Sequence, residues 1–506
     1  MKRPVLVGIV VLLVIGGLVT GLRVLRGGGG AGSRRGSTDL VVYCAAGLKP
    51  ALEPLVEEYQ KRYNVDIQVQ YAGSGTLLSN LQVAKSGDLY LAADAGYLEI
   101  ARKKGLVDEV LPLAHMRPVI AVSKGNPLRI TGVEELSNKK VRVALANPDA
   151  ASIGKQTRSI LQKAGLWEAL EANAQENGVF KPTVNEVAND VKLGSVDAGV
   201  IWDATANFYP EVEAVHVPVF DSAVKEVQVG VLKASQQPTA TLRLARFLNS
   251  TEGNRVFRRM GFDAIDGDKW EWSPEITFYC GAVNRRAVEE VVKAFEDREG
   301  VTVNTVYNGC GILTAQMRTI NQKDGSGFPD VYMACDRYYL ETVKNWFQED
   351  RDISDADIVI AVPEGNPKNI RSLRDLTKPG MRVAVGQPEQ CTIGALTRIM
   401  LRKMGIYEQL MPNVVTQTAS SALLVPSVVT KSVDAAIAYG TDTKAEADKI
   451  DEISIDSPYA KAVQPFSIAR SSEYKYLSRR LFEDILNARE AFTKAGFHFL
   501  ADSTEI

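Results

Sequence analysis

Short apolar runs alternate with longer amphipathic stretches along most of the chain. Residues 39–44 are apolar and β-branched, the pattern of a buried parallel strand. Residues 50–63 place Leu52, Leu55, Val56 and Tyr59 at helical spacing, with Glu53, Glu57 and Lys61 on the opposite face. Residues 65–71 alternate as a strand does, 75–85 return to helical spacing, and 119–122, 141–145 and 198–202 read as further short strands. Such alternation predicts an α/β fold with mainly parallel sheets, whose ligands bind beyond the carboxyl ends of the strands. Residues 5–22 break the pattern: they are apolar apart from Thr20, follow Lys2 and Arg3, and are just long enough to span a bilayer as a helix. No cleavage site or lipidated cysteine follows, only a flexible leash rich in glycine, serine and arginine. Residues 5–22 are therefore expected to form an N-terminal hydrophobic helix that anchors the body outside the cytoplasm, with a cleaved signal as the alternative.

The remainder is written twice. Val41-Val42-Tyr43-Cys44 returns as Thr277-Phe278-Tyr279-Cys280, and Tyr71-Ala72-Gly73-Ser74-Gly75 as Tyr307-Asn308-Gly309-Cys310-Gly311. Asp88-Leu89-Tyr90 with Ala93-Asp94 returns as Asp330-Val331-Tyr332 with Cys335-Asp336, and Gly125-Asn126-Pro127 as Gly365-Asn366-Pro367. Between 141–170 and 381–410, 13 of 30 positions are identical. A period this long is a duplicated domain rather than a solenoid. The expected division is an anchor and linker over 1–37, a first domain over 38–267 and a second over 273–506, with Trp270 and Trp272 packing the junction.

Composition narrows the function classes. In 506 residues, 59 basic side chains against 61 acidic ones leave a net charge of −2, with no bulk attraction for nucleic acid or an anionic membrane surface. Five cysteines cannot build a disulfide scaffold, and the odd count leaves one thiol without an internal partner. The three histidines, His115, His216 and His498, are far apart in sequence, which argues against triad or His-metal chemistry.

What stands at the predicted strand ends is small, polar and uncharged. Gly73-Ser74-Gly75-Thr76 follows one strand and 148–154, containing Ser152, follows another, each just before a helix. A helix start offers free N–H groups and the positive end of its dipole, and serine adds a hydroxyl donor. Two such starts facing one cleft would hold a small oxyanion without a lysine or arginine. Alternatively, Ser74 and Ser152 simply cap their helices. Leu78 stands where a dinucleotide fingerprint needs its third glycine, and the chain has no phosphate-loop lysine motif.

The ordered series Tyr43-Cys44-Ala45-Ala46-Gly47-Leu48, Gly73-Ser74-Gly75-Thr76-Leu77, Ala93-Asp94, Gly125-Asn126-Pro127, Ile153-Gly154, Asp197-Ala198-Gly199 and Ser250-Thr251-Glu252-Gly253 resembles the periplasmic molybdate-binding proteins of ABC transporters. The likeness covers 39–266 and, more weakly, 275–500. It implies two tandem type II periplasmic-binding-protein domains, each of two α/β lobes closing a cleft on a tetrahedral oxyanion such as molybdate or tungstate. It further implies presentation of that ligand to an ABC permease, no cofactor and no enzymatic step. Carried over position by position, the oxyanion contacts are Ser74, Ser152, Ile153, the backbone near Val184, and Trp202 where the family usually has tyrosine. Gly47 replaces the usual serine of the first loop. In the second copy, Cys310 stands for Ser74, Thr392 for Ser152, Ser421 for Val184, Tyr439 for Trp202 and Val283 for Gly47.

The second copy also collects thiols. Cys44 and Cys280 are equivalent, whereas Cys310, Cys335 and Cys391 replace Ser74, Ala93 and Ala151. If the duplication is structural, all four thiols of this copy stand at strand ends around one cleft. They could be small buried hydrophobes, a Cys310–Cys391 or similar disulfide, or a thiolate site for a soft metal formed by Cys280, Cys310, Cys335 and Cys391. The last would make the second cleft a metal- or redox-handling site or a ligand sensor. Asp94 and Asp336 follow strands and read as loop hydrogen-bonders, and Arg102-Lys103-Lys104 before Gly105 as a solvated helix end.

Overall fold

A computed structural model describes residues 39–323 and 325–501. The expected anchor over 5–22 lies outside these residues. No helix among the described residues is long and apolar enough to cross a membrane.

The first half folds as two lobes. The strand Asp39–Ala45 forms because its apolar residues are buried between layers, and it pairs in parallel with Asp66–Ala72 and Leu89–Ala92. The helix Lys49–Tyr63 buries Leu52, Leu55, Val56 and Tyr59 on the face its spacing predicts, and Asn64 ends it in the left-handed conformation. The second lobe centres on Val143–Ala146, in parallel between Gly178–Lys181 and Ala198–Trp202.

The sheets are mixed rather than mainly parallel. In the first lobe Lys225–Leu232 runs antiparallel to both Leu89–Ala92 and Val107–Met116; in the second, Pro118–Ser123 runs antiparallel to Ala198–Trp202. The cause is the crossing between lobes. Val107–Met116 passes through Arg117 straight into Pro118–Ser123, and Lys225–Leu232 brings the chain back. A strand that arrives from the other lobe enters the sheet without a crossover helix, so it has no need to run parallel.

The second half repeats this plan in the same order. Glu275–Gly281 pairs in parallel with Thr302–Asn308 and Val331–Met333, and Val383–Gly386 with Val414–Thr418 and Ala435–Tyr439. Here the interlobe crossing is one strand of 17 residues, Phe347–Pro363, which joins both lobes in a 10-stranded sheet.

The halves are docked through buried polar contacts. Asp268 accepts the N–H groups of Tyr476 and Leu477, each at 2.9 Å, at the start of the helix Lys475–Leu486. Arg298 makes a bidentate pair with Glu109 at 2.7 and 3.0 Å. Glu299 is fully buried between Arg480, bidentate at 2.7 and 3.1 Å, and Arg246 of the first half at 3.7 Å. At the junction Trp272 stacks on Tyr63 with ring centroids 4.4 Å apart, and the Trp270 indole donates to the Tyr63 hydroxyl at 2.8 Å.

Candidate functional site

The first cleft brings together all six residues singled out there. Gly47, Ser74, Ser152, Ile153, Val184 and Trp202 line one cavity between the lobes, and no charged side chain joins them. Its free volume is about 10 Å³, room for about one water-sized sphere. Three helix starts converge on it: Ser74–Ala84, Ser152–Ala164 and Val184–Lys192. Each begins just after a strand end, so its dipole points its positive end into the cleft.

The serines do not cap their helices. Ser74 and Ser152 are the first helical residues, Gly73 and Ala151 hold the cap positions, and neither cap donates or accepts through a side chain. Ser74 Oγ accepts the Ala93 N–H at 3.3 Å, which leaves its own proton to donate. The Tyr90 hydroxyl fixes the turn by donating to the Ser74 carbonyl at 2.7 Å. At the third start the cap is a hydroxyl, Thr183, accepting from the Glu186 N–H at 3.4 Å.

The lobes are closed on each other. Gly75 N–H donates across the seam to the Ala150 carbonyl at 3.0 Å, Asn185 Nδ2 to the Ala46 carbonyl at 2.9 Å, and Gln156 to Asp94. The approach at Gly73 depends on its missing side chain, since a Cβ there would lie 2.3 Å from the Ala150 oxygen. These closure contacts are not evident in the sequence, whose signal for them is the return of Gly73 and Gly75 as Gly309 and Gly311, where a Cβ would meet the Gln390 oxygen at 2.4 Å and the Glu389 oxygen at 2.1 Å.

The second cleft is built differently. Cys310, Thr392, Ser421 and Tyr439 are all buried there, and the Thr392 and Tyr439 hydroxyls have no protein partner in hydrogen-bond geometry. Cys310 and Cys335 touch, with their sulfurs 2.9 Å apart. All five cysteines are free thiols, and of the pairings open to a Cys310–Cys391 or similar disulfide it is Cys310 and Cys335, in one lobe, that meet. Among the described residues no group of three or more His, Cys, Asp or Glu is arranged to hold a metal ion. Cys280 turns its thiol toward the Gly281 carbonyl at 3.7 Å. Burial pushes the Cys391 thiol up to about 12, away from a thiolate ligand.

Beside this cleft lies a chamber of about 390 Å³, lined by Val283, Arg286, Thr441 and Asp442 among others. Asp442 stands where the first copy has Thr205, and its Oδ2 is buried without a partner. Burial pushes its carboxyl up to about 6, against the hydrogen bond of Ser421 and the attraction of Arg286. Asp94 and Asp336 accept backbone N–H groups, from Gly96 at 2.9 Å and from Tyr338 and Val463 at 2.8 Å each.

Known proteins each align with about half of this chain. The molybdate-binding protein ModA of Mycobacterium bovis is 26% identical over 258 residues, covering 50% of this chain and 96% of that protein. ModA of Escherichia coli K12 is 23% identical over 232 residues, covering 44% of this chain and 88% of the relative. Among solved structures, the periplasmic molybdate-binding protein of Azotobacter vinelandii covers 44% of this chain and 98% of its own, at 16% identity and a TM-score of 0.39. The family model for bacterial extracellular solute-binding proteins matches twice, over residues 40–263 and 276–498. The chain therefore belongs to the bacterial extracellular solute-binding protein family and carries its domain in tandem.

Proposed function

We propose that the first cleft captures a small tetrahedral oxyanion of the molybdate class by closure of its two lobes. The loaded protein, held on the extracytoplasmic side by residues 5–22, presents the ion to an ABC permease; no bond is made or broken. One observation carries this reading: an uncharged cavity of about 10 Å³, walled by three helix starts and two serines. That volume is far below the roughly 300–1,000 Å³ of organic-ligand pockets, and a tetrahedral ion, larger than one water, enters as the two lobes part. N–H groups and dipole ends supply the positive potential, so the ion need not neutralise a buried cation.

The proposed contacts are the Ser74 and Ser152 hydroxyls, the backbone at Gly47, Ile153 and Val184, and the Trp202 indole closing one wall. Calorimetric titration of the full chain with molybdate, tungstate, sulfate and phosphate tests this. Saturable binding of molybdate or tungstate is expected, and Ser74→Ala should weaken it by about 1–3 kcal/mol, the value of a hydrogen bond to a charged group. No binding of any of the four ions, or an affinity unmoved by Ser74→Ala, would sink the assignment.

A further inference from the structure

At one spot of the two clefts, three substitutions fit one another. The first copy has Ala45, Ser74 and Ala93 where the second has Gly281, Cys310 and Cys335. A Cβ on Gly281 would lie 2.3 Å from Cys335 Sγ and 2.8 Å from Cys310 Sγ. The two sulfurs therefore occupy space that the methyl group of Ala45 fills in the first copy. Their separation of 2.9 Å is within about 1 Å of the roughly 2.05 Å disulfide bond, so bond formation needs little movement of either backbone.

The pair is chemically asymmetric. Cys310 is the first residue of the 14-residue helix Cys310–Lys323; its sulfur lies against Cys335 Sγ and accepts the Cys335 N–H at 3.1 Å. Burial pushes the Cys310 thiol up, but these bonds, with the Thr392 and Tyr332 hydroxyls nearby, outweigh it and hold Cys310 below the usual thiol range. Cys335 is driven the other way, by its hydrogen bond to Cys310 and by burial. A helix start and a donated N–H are what make one thiol the nucleophile, and Cys335, in contact with it, is placed to resolve.

We propose that Cys310 and Cys335 form a dithiol site that undergoes thiol–disulfide exchange with small-molecule disulfides of the glutathione class. The Cys310 thiolate attacks one sulfur of the disulfide, forming a mixed disulfide and releasing one thiolate, which takes up a proton. Cys335 Sγ then loses its proton and attacks Cys310 Sγ, expelling the second thiolate, which is protonated in turn. Two electrons pass from the protein to the reagent: one disulfide becomes two thiols as the Cys310–Cys335 bond forms. Both sulfurs lie beneath the interlobe seam that Gly311 N–H closes onto the Gln390 carbonyl at 3.1 Å, so the exchange belongs to the open cleft. The chemistry concerns the second cleft alone and stands apart from oxyanion capture in the first.

The test uses the reduced full chain, incubated with oxidised glutathione, then denatured and alkylated for mass analysis. Of the five thiols, two should be lost to alkylation, in a peptide joining 310 to 335. Cys335→Ser should trap glutathione on Cys310. Cys310→Ser should leave every remaining thiol open to alkylation, and Cys391→Ser should behave as the wild type. Five alkylated thiols in the treated wild type, or a bond involving Cys280 or Cys391 instead, would overturn the proposal.

Discussion

At the scale of single residues, position in the helix decides what a hydroxyl or carboxyl can do. Serine before a helix is most often its cap, yet Ser74 and Ser152 stand one place later, with glycine and alanine at the caps. That one-residue offset frees both hydroxyls, and it depends on where the first helical turn begins, which the string of residue types leaves open. Asp442 is a second case. Nothing in its sequence neighbourhood separates it from a solvated loop carboxylate, but packing buries one oxygen without a partner. Its carboxyl is raised from 3.8 to about 6 in the folded protein. The unfolded chain therefore gives up this proton first as pH rises. The stabilisation is complete below about pH 4 and is lost as pH climbs through about 6, by up to about 3 kcal/mol. Asp442→Asn, neutral throughout, should flatten that part of the stability profile and stabilise the second domain at neutral pH, as read by denaturant unfolding across pH. A profile identical to the wild type would show that Asp442 is solvated.

At the scale of elements, function depends on how closely two strand–helix turns approach. Gly73 has an ordinary backbone conformation, φ −65° and ψ 145°, which alanine adopts freely. Only the closed cleft forbids a side chain there, where a Cβ would lie 2.3 Å from the Ala150 oxygen and 2.9 Å from the Pro182 oxygen. Gly73→Ala should therefore leave the unliganded melting temperature unchanged while lowering oxyanion affinity roughly tenfold or more, about 1.4 kcal/mol. Small-angle scattering should find the variant more open in the presence of ion. Unaltered affinity would mean that capture does not require this closure. The mixed sheets belong to the same scale. Alternating strand and helix patterns predict parallel neighbours, but an interlobe crossing enters its sheet against the local direction, and a strand's own residues carry no mark of which lobe its partner comes from.

At the scale of the whole molecule, the two halves meet at a buried group of charges that spans them. Glu299 and Arg480 are buried and pair within the second half, and the buried Arg246 of the first half lies 3.7 Å from Glu299. Burial lowers Arg246 to about 10, against the attraction of Glu299. Glu299→Gln would leave two buried guanidinium groups without their counter-charge. It should cost about 3–5 kcal/mol in denaturant unfolding, with part recovered when Arg480 is also replaced by methionine. A change below about 1 kcal/mol would mean that water already reaches the pair.

The duplication, the strand and helix pattern of each copy and the small uncharged residues at the strand ends were legible in the chain itself. Local periodicity and repeated motifs are properties of neighbouring residues, and the family matches follow from the same order. Alignment of the copies even marked Cys310 and Cys335 as departures. It could not pair them, because 25 residues of strand and helix separate their positions. Only the tertiary structure decided that Cys310 meets Cys335 rather than Cys391, that Gly281 makes the room, and that Gly73 marks a closed seam. Each is a contact between atoms distant in sequence, set by how strands stack and lobes meet, and the pattern along one chain does not encode such distances.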